Sequence, residues 1–312
     1  MLRRFFLVIF ITLLVGTSCT KQVTIIPPPA KQALQHRKLP AFNQVTVEGN
    51  VNVSLHTGYA RPKLILHGDP TDLLQVKTVV TGSTLLIAVG KGYPRCGPIT
   101  AEIRGRYLNG FNYRGAGTIT GNNLRSGLMD LSIENPGRTT LGGKIFLRKL
   151  TVSGGGYTQI SGVTSQNLQL SIQDNSKVQL SGIVNITRLN LDSNAWLGMN
   201  WIKSNALIVR AKGHSVVQLA GIVGKLDVEL CEQAQFKGRY LRAGRAFVKT
   251  HDKAVAEISA VRRQHTLATD ASDIYFYNIP SMKTDFMAYN GAVLDMRDWD
   301  LYAMQEYDRY NK

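Results

Sequence analysis

Cysteine is nearly absent from this chain of 312 residues, which carries only Cys19, Cys96 and Cys231. That excludes a scaffold stapled by several disulfides. Cys96 and Cys231 can pair in an oxidising compartment or remain free thiols, and the sequence leaves both options open. Acidic residues are scarce too, with 21 Asp and Glu against 37 Lys and Arg, giving a formal charge of +16. The surplus favours anionic partners, whether nucleic acid, lipid headgroups or acidic polysaccharide, without choosing among them. Charged residues are only 19% and hydrophobic residues 44% of the chain, so a sizeable core is available and a disordered polymer is excluded.

The apolar run Phe5 to Val15 is too short to span a bilayer with ease, and it follows the basic pair Arg3 and Arg4. Small residues Gly16, Thr17 and Ser18 then precede Cys19. Residues 1–19 therefore read as a secretory signal, and the placement of Cys19 resembles the lipobox of bacterial lipoproteins, in which the thiol is acylated. Gly16 stands where lipoboxes usually carry Leu, and ordinary cleavage near Ser18 is the alternative. The resemblance implies a lipid anchor in the cell envelope, and Thr20 after Cys19 leans toward the outer membrane. Residues 20–40 contain Pro27-Pro28-Pro29 and read as an extended tether.

Self-similarity dominates the rest. Segments of the form apolar-x-apolar-small-Gly recur about every twenty residues, among them those ending in Gln159-Ile-Ser-Gly162, Gln179-Leu-Ser-Gly182 and Gln218-Leu-Ala-Gly221. Between them lie alternating runs such as Leu168-Gln-Leu-Ser-Ile172 and Leu189-Asn-Leu191. Period-two alternation means strands with one face inward, and twenty residues per unit leaves no room for a helical crossover. The unit reads as one coil of an all-β, right-handed parallel β-helix over residues 41–296. Inward files are expected through Leu141, Ile160, Leu180, Met199, Leu219, Phe236 and Ile258, and through Thr139, Thr158, Val178, Leu197 and Val217. Gln159, Gln179 and Gln218 form an outward file, while Gly155, Asn175, Asn194 and His214 mark corners expected to be left-handed. The triple glycine at 154–156 is such a corner; a phosphate loop would need a following helix N-terminus, and a strand follows instead.

The stretches QVTVEGNVNVSLHTG (44–58), LILHGDPTDLLQVKTVVTGSTLLI (64–87) and coils such as LTVSGGGYTQISG (150–162) resemble the head GIN domain of auto-transporter adhesins. The resemblance implies a strand-built N-terminal cover and a glycine-rich β-helix body, and it carries over no catalytic residues.

Both ends of such a stack need covering. Residues 41–110 are expected to close the first, and residues 297–312, with Trp299, Tyr302, Met304 and Tyr307 among charges, to cap the last coil or dock a partner. Lys237, Arg239, Arg242, Arg245, Lys249 and Lys253 are candidate anion-binding residues, read either as a docking strip for an anionic glycan or as a solvated face. Trp196 and Trp201 are candidate sugar-stacking residues, with half-burial against the corner as the alternative. Parallel β-helices include carbohydrate-active enzymes, but Asp252, Asp270, Asp273, Asp285, Glu229 and Glu232 are scattered and fall into no clear acid pair. His251-Asp252 would point to opposite faces. No zinc-ligand spacing, Ser-His-Asp set or nucleophile elbow appears, so no metal, cofactor or enzymatic activity is expected. An exported protein without a nucleic-acid-binding motif is not expected to bind nucleic acid. The reading is a non-enzymatic, adhesin-like envelope lipoprotein that binds an anionic polysaccharide or an envelope protein, with a purely structural envelope role as the alternative.

Overall fold

The computed structural model describes residues 32–277 and 283–311. Cys19, the expected signal and the triple proline lie outside the described residues. The N-terminal part contains β1 (Ala33–Lys38), β2 (Gln44–Glu48), β3 (Val51–His56), β4 (Lys63–Gly68), α1 (Pro70–Leu73), β5 (Val76–Thr81), β6 (Thr84–Val89), β7 (Ile99–Arg104) and β8 (Leu108–Arg114). One long strand per coil follows: β9 (Ile119–Glu134), β10 (Arg138–Ser153), β11 (Tyr157–Ile172), β12 (Lys177–Leu191), β13 (Trp196–Ala211), β14 (Val216–Leu230), β15 (Gln235–Thr250) and β16 (Val255–Ala268). Three short strands, β17 (Asp273–Tyr277), β18 (Lys283–Ala288) and β19 (Val293–Arg297), and helix α2 (Leu301–Tyr310) end the chain.

The body is a β-solenoid of about nine turns. From β9 to β16 every strand pairs in parallel with the next. At about 4.8 Å per coil the stack is roughly 43 Å long. The expected inward files hold through their first coils: Leu141, Ile160, Leu180, Met199 and Leu219 lie in register, each at most 1% exposed. Each such side chain contributes very roughly 1.5–3 kcal/mol by leaving water. The second file, Thr139 through Val217, is likewise in register and buried.

Phe236 departs from its expected place. It pairs with Val217, so it belongs to the second file, while Gly238 pairs with Ile258 and takes the position assigned to Phe236. A Cβ on Gly238 would fall on the Phe236 ring, so one aromatic fills two positions that aliphatic residues fill elsewhere.

Gly155 (φ 83°) is left-handed as expected, while the following corners differ by one residue from expectation. Left-handed backbone occurs at Asp174 (φ 61°), Ser193 (64°), Gly213 (75°), Glu232 (63°), Asp252 (61°) and Asp270 (62°), one position before Asn175, Asn194 and His214. Strain at a non-glycine corner costs on the order of 1–3 kcal/mol. The acids offset part of it, because the Asp174 carboxylate accepts from the Gly154 N–H at 2.8 Å and the Asp252 carboxylate from the Glu232 N–H at 2.9 Å. Each reaches back to the neighbouring coil. Asn175 and Asn194 do stack, the amide of Asn194 donating to Oδ1 of Asn175 at 2.7 Å.

Part of the stretch expected as a tether is a strand. β1 lies antiparallel to β4, and β4 in turn to β7, so these residues are held by backbone hydrogen bonds. Arg37 on β1 also donates to the Val76 carbonyl at 2.8 Å, tying β1 to β5. Helix α1 begins at the cap Asp69, whose carboxylate accepts from the Thr71 N–H at 2.8 Å, with Pro70 preset for the first turn.

The C-terminal segment does not cap the last coil. Helix α2, capped by Asp300 accepting from Ala303 N–H at 2.6 Å, lies along the flank of β14 and β15. Aromatic contacts set its course: Trp299 packs on Tyr277 (4.5 Å between centroids) and Tyr307 (4.7 Å), and Tyr310 meets Trp201 (5.3 Å) and Tyr240 (5.9 Å). Rings packed together in this way hold the helix along the flank.

Candidate anion-binding column

The six basic residues picked from the sequence do not form one strip. Lys237 is outward between Gln218 and Glu257 on the sheet that follows the corners. Arg239 is tied to Glu257 at 2.9 Å and lies 5.5 Å from the Tyr277 ring. Its burial works against the charge, but the Glu257 hydrogen bond prevails and raises its pKa above the ordinary guanidinium value. The charge of Arg242 acts on Tyr307 of α2, partly opposing the rise in its pKa that burial causes. Lys249 stands in register between Glu229 and Leu267, and Lys253 follows the acidic corner residue Asp252. Only Arg245 lies on a like-charged file.

That file is Lys225, Arg245, Arg263 and Lys283. They are register partners on β14, β15, β16 and β18, all exposed, and therefore about 4.8 Å apart along the stack. Exposed like charges on successive coils repel one another, weakly in water. Among the described residues none of the four forms an ion pair, and Lys225 instead sits 5.3 Å over the Phe247 ring. The acids of the same face are occupied: Arg210 holds Asp227 at 3.0 Å and Glu229 at 2.9 Å, and His265 holds Asp285 at 2.8 Å. The adjoining file presents Phe247 stacked on His265, centroids 4.9 Å apart and planes 11° apart. A basic rail thus runs beside a flat ring platform. The signal was available as the coil-like spacing of positions 225, 245, 263 and 283, which differ by 20, 18 and 20. Clustering along the sequence hid it, because neighbours on the surface come from successive coils.

The two tryptophans are separated. Trp201 stands at the bend with φ 64°, one residue before Ile202, which pairs with Gly221; it is 45% exposed and meets Tyr310 edge-on. Trp196 is half-buried, its ring lying over Gly198, which interrupts the Gln159, Gln179 and Gln218 file.

The scattered acids are structural. Glu232, Asp252 and Asp270 belong to the corner ladder, and Asp273 accepts from the Tyr275 hydroxyl at 3.2 Å. His251 bonds Thr269 Oγ1 at 2.9 Å. One cluster has metal-like composition, Asp69, Asp72 and Cys96. Its carboxylates are committed, since Asp69 caps α1 and Asp72, fully buried, accepts from the N–H groups of Arg95 (3.0 Å) and Cys96 (2.8 Å). Cys96 and Cys231 are both free. Desolvation and neighbouring carboxylates push both thiols above the ordinary value, which makes them weak nucleophiles at neutral pH.

Fold and surface together define a β-solenoid that presents regular side-chain files on rigid flanks. The chain belongs to the family described as "Putative auto-transporter adhesin, head GIN domain", whose profile matches residues 41–197. Among solved structures it is similar to a putative adhesin from Parabacteroides merdae ATCC 43184, at 12% identity and a TM-score of 0.55, covering 86% of this chain and 96% of that one. A putative adhesin from Parabacteroides distasonis ATCC 8503 matches at 12% identity and TM-score 0.48, covering 85% and 97%. A protein from the same organism described as a putative lipid binding protein matches at 12% and 0.44, covering 85% and 96%. No curated protein matches. The first likeness shows the β-solenoid fold, and the family is named for adhesion, which points to an extracellular or envelope-associated protein.

Proposed function

We propose that this protein is a non-enzymatic binding module of the cell envelope, anchored through an acylated Cys19 in the outer membrane, that holds an anionic glycan along the rail Lys225, Arg245, Arg263 and Lys283. The observation that carries this reading is the register of four like charges without acidic partners among the described residues. A surface that only needed solubility would intersperse signs, as the Arg210, Asp227 and Glu229 group does on the same face. Carboxylate or sulfate groups recurring along a sugar chain turn the mutual repulsion into attraction, and Arg forks suit them. The Phe247 and His265 platform offers a face for the sugar rings beside the charges.

Binding of a polyuronate and of neutral dextran, measured by calorimetry at low and physiological salt, tests this. Affinity for the polyuronate should fall with salt, and Arg245→Glu with Arg263→Glu should lower it on the order of tenfold or more. Equal binding of dextran, or insensitivity to salt, would defeat the proposal. If neither polymer binds, a purely structural envelope role takes its place.

A further inference from the structure

The flank that carries α2 is bare over its first coils. In β10, Ile145 and Leu147 point inward and are buried, while Lys144 and Phe146 alternate with them outward. Phe146 pairs with Leu128 on β9 and with Thr164 on β11, and Thr164 pairs with Ile183 on β12, so these residues stand in one outward file. Leu128 is 60%, Phe146 47% and Ile183 71% exposed. Trp201 comes next along the stack, because Val184 pairs with Ile202. Beyond it α2 covers the flank. Tyr310 meets Trp201 and Tyr240, and Trp299 meets Tyr277 of β17, so the helix runs back along the stack from β17 toward β13. Its outer stripe is Leu301, Met304 and Asp308, of which Leu301 is 76% and Met304 49% exposed. Two apolar patches are therefore left unburied, one on each side of Trp201.

We infer that the bare file is covered by α2 of a second copy, in a two-fold dimer whose axis crosses the flank near Trp201. An axis perpendicular to the flank reverses the order of residues along the stack and so exchanges the two patches. Their spacings agree. Phe146 and Thr164 lie about 4.8 and 9.6 Å beyond Leu128, one coil at a time. Met304 and Asp308 lie about 4.5 and 10.5 Å beyond Leu301 along the helix. Reversal sets Leu301 against Leu128, Met304 against Phe146 and Asp308 against the Thr164 hydroxyl, which leaves Ile183 to Tyr310 and Trp201 beside the axis. The position of the axis follows independently. Leu301 begins α2 near the coil of β17, eight strands after β9 and hence about 38 Å from Leu128, and the midpoint falls on β13, which carries Trp201. Charge agrees too. Arg125 and Lys144 are exposed register partners beside the file, and among the described residues neither forms an ion pair. The approach to α2 carries Asp298 and Asp300, while the bases Arg297 and Arg309 are held by Asp295 and Glu306. Reversal brings that acidic approach to the Arg125 end of the file. A flat bilayer laid on this flank would meet α2 first, since a helix stands roughly 10 Å above the sheet. A second copy presents its own ridge where the file is bare.

Cross-linking of the full chain tests the inference. With Cys19, Cys96 and Cys231 changed to Ser, Leu128→Cys together with Leu301→Cys should be joined into a dimer by a short bismaleimide. Either change alone should not, because the axis keeps like positions about 38 Å apart. Sedimentation of the wild-type chain should show a dimer, and Phe146→Asp should weaken it about tenfold or more while circular dichroism shows the coils intact. Thr164→Lys, set against Asp308, should tighten dimerisation, and adding Asp308→Asn should cancel that gain, which lost folding would not do. A monomer at all concentrations, no link in the double variant, a link in either single variant, or a dimer indifferent to Phe146→Asp would overturn the inference. So would a monomer that binds phosphatidylglycerol vesicles and loses them on Phe146→Asp, the result expected of a lipid contact.

Discussion

The two ends of this solenoid solve the same problem differently. At the first, antiparallel strands, a short helix and the Arg37 guanidinium fold over the starting coils, and the aliphatic side chains below are inaccessible to water. At the last, parallel coils stop with core positions showing, and the helix that could have covered them lies along a flank. The difference teaches that a repeating sequence specifies its own continuation and carries no instruction for stopping. Termination must come from residues outside the repeat, and among the described residues they cover the first end while core positions at the last stay exposed.

Core truncation should separate the ends most sharply. Leu66→Ala at the closed end is expected to cost about 2–5 kcal/mol in urea unfolding. Met296→Ala should cost under about 1 kcal/mol in the monomer, since more than half of that side chain is already exposed. Similar costs would erase the contrast. Next, Asp72→Ala leaves the Arg95 and Cys96 N–H groups without their acceptor and should cost about 2–3 kcal/mol, read as a lower melting temperature. An unchanged melting temperature would show that this loop does not help close the end.

Near the open end, Gln264 is fully buried with neither side-chain atom hydrogen-bonded. Gln264→Leu should therefore stabilise the protein, by about 1–2 kcal/mol, because it removes an unpaired amide and keeps most of the volume. A loss of stability would mean that the amide does have a partner. The smallest effect concerns pH. Burial pushes the Tyr113 hydroxyl, near the closed end, up to about 12. Below pH 10 it is neutral in both states; between about 10 and 12 the unfolded chain ionises first, so stability falls as pH rises. Tyr113→Phe should flatten that slope, and an unaltered slope would place its origin elsewhere.

Much of this was legible in the sequence. Periodicity located the coils and the file from Leu141 to Leu219 because backbone pairing between identical units forces register. It failed where one residue did the work of two, as Phe236 does for Gly238, since spacing alone does not reveal volume. Beyond Gly155 the corner was displaced by one, and Asp174, Asp252 and Asp270 tolerate the left-handed position because their carboxylates find N–H groups on the preceding coil, a gain between coils that a single coil does not show. Basic residues crowded along the chain were dispersed over several faces. The rail was instead written at intervals of a whole coil. α2 was recognised as an aromatic-rich end segment, but its destination depended on Trp201 and Tyr240, far away in the chain.

The rail has one property that no substitution within it can alter. Its interval is fixed by peptide hydrogen bonding between coils, so it behaves as a ruler with evenly cut marks. Changing residues can blank a mark or reverse its sign, but cannot move it. A polymer whose own charges recur at an incommensurate distance drifts out of step after a few units, and adding further coils would sharpen that discrimination more than it would tighten the grip.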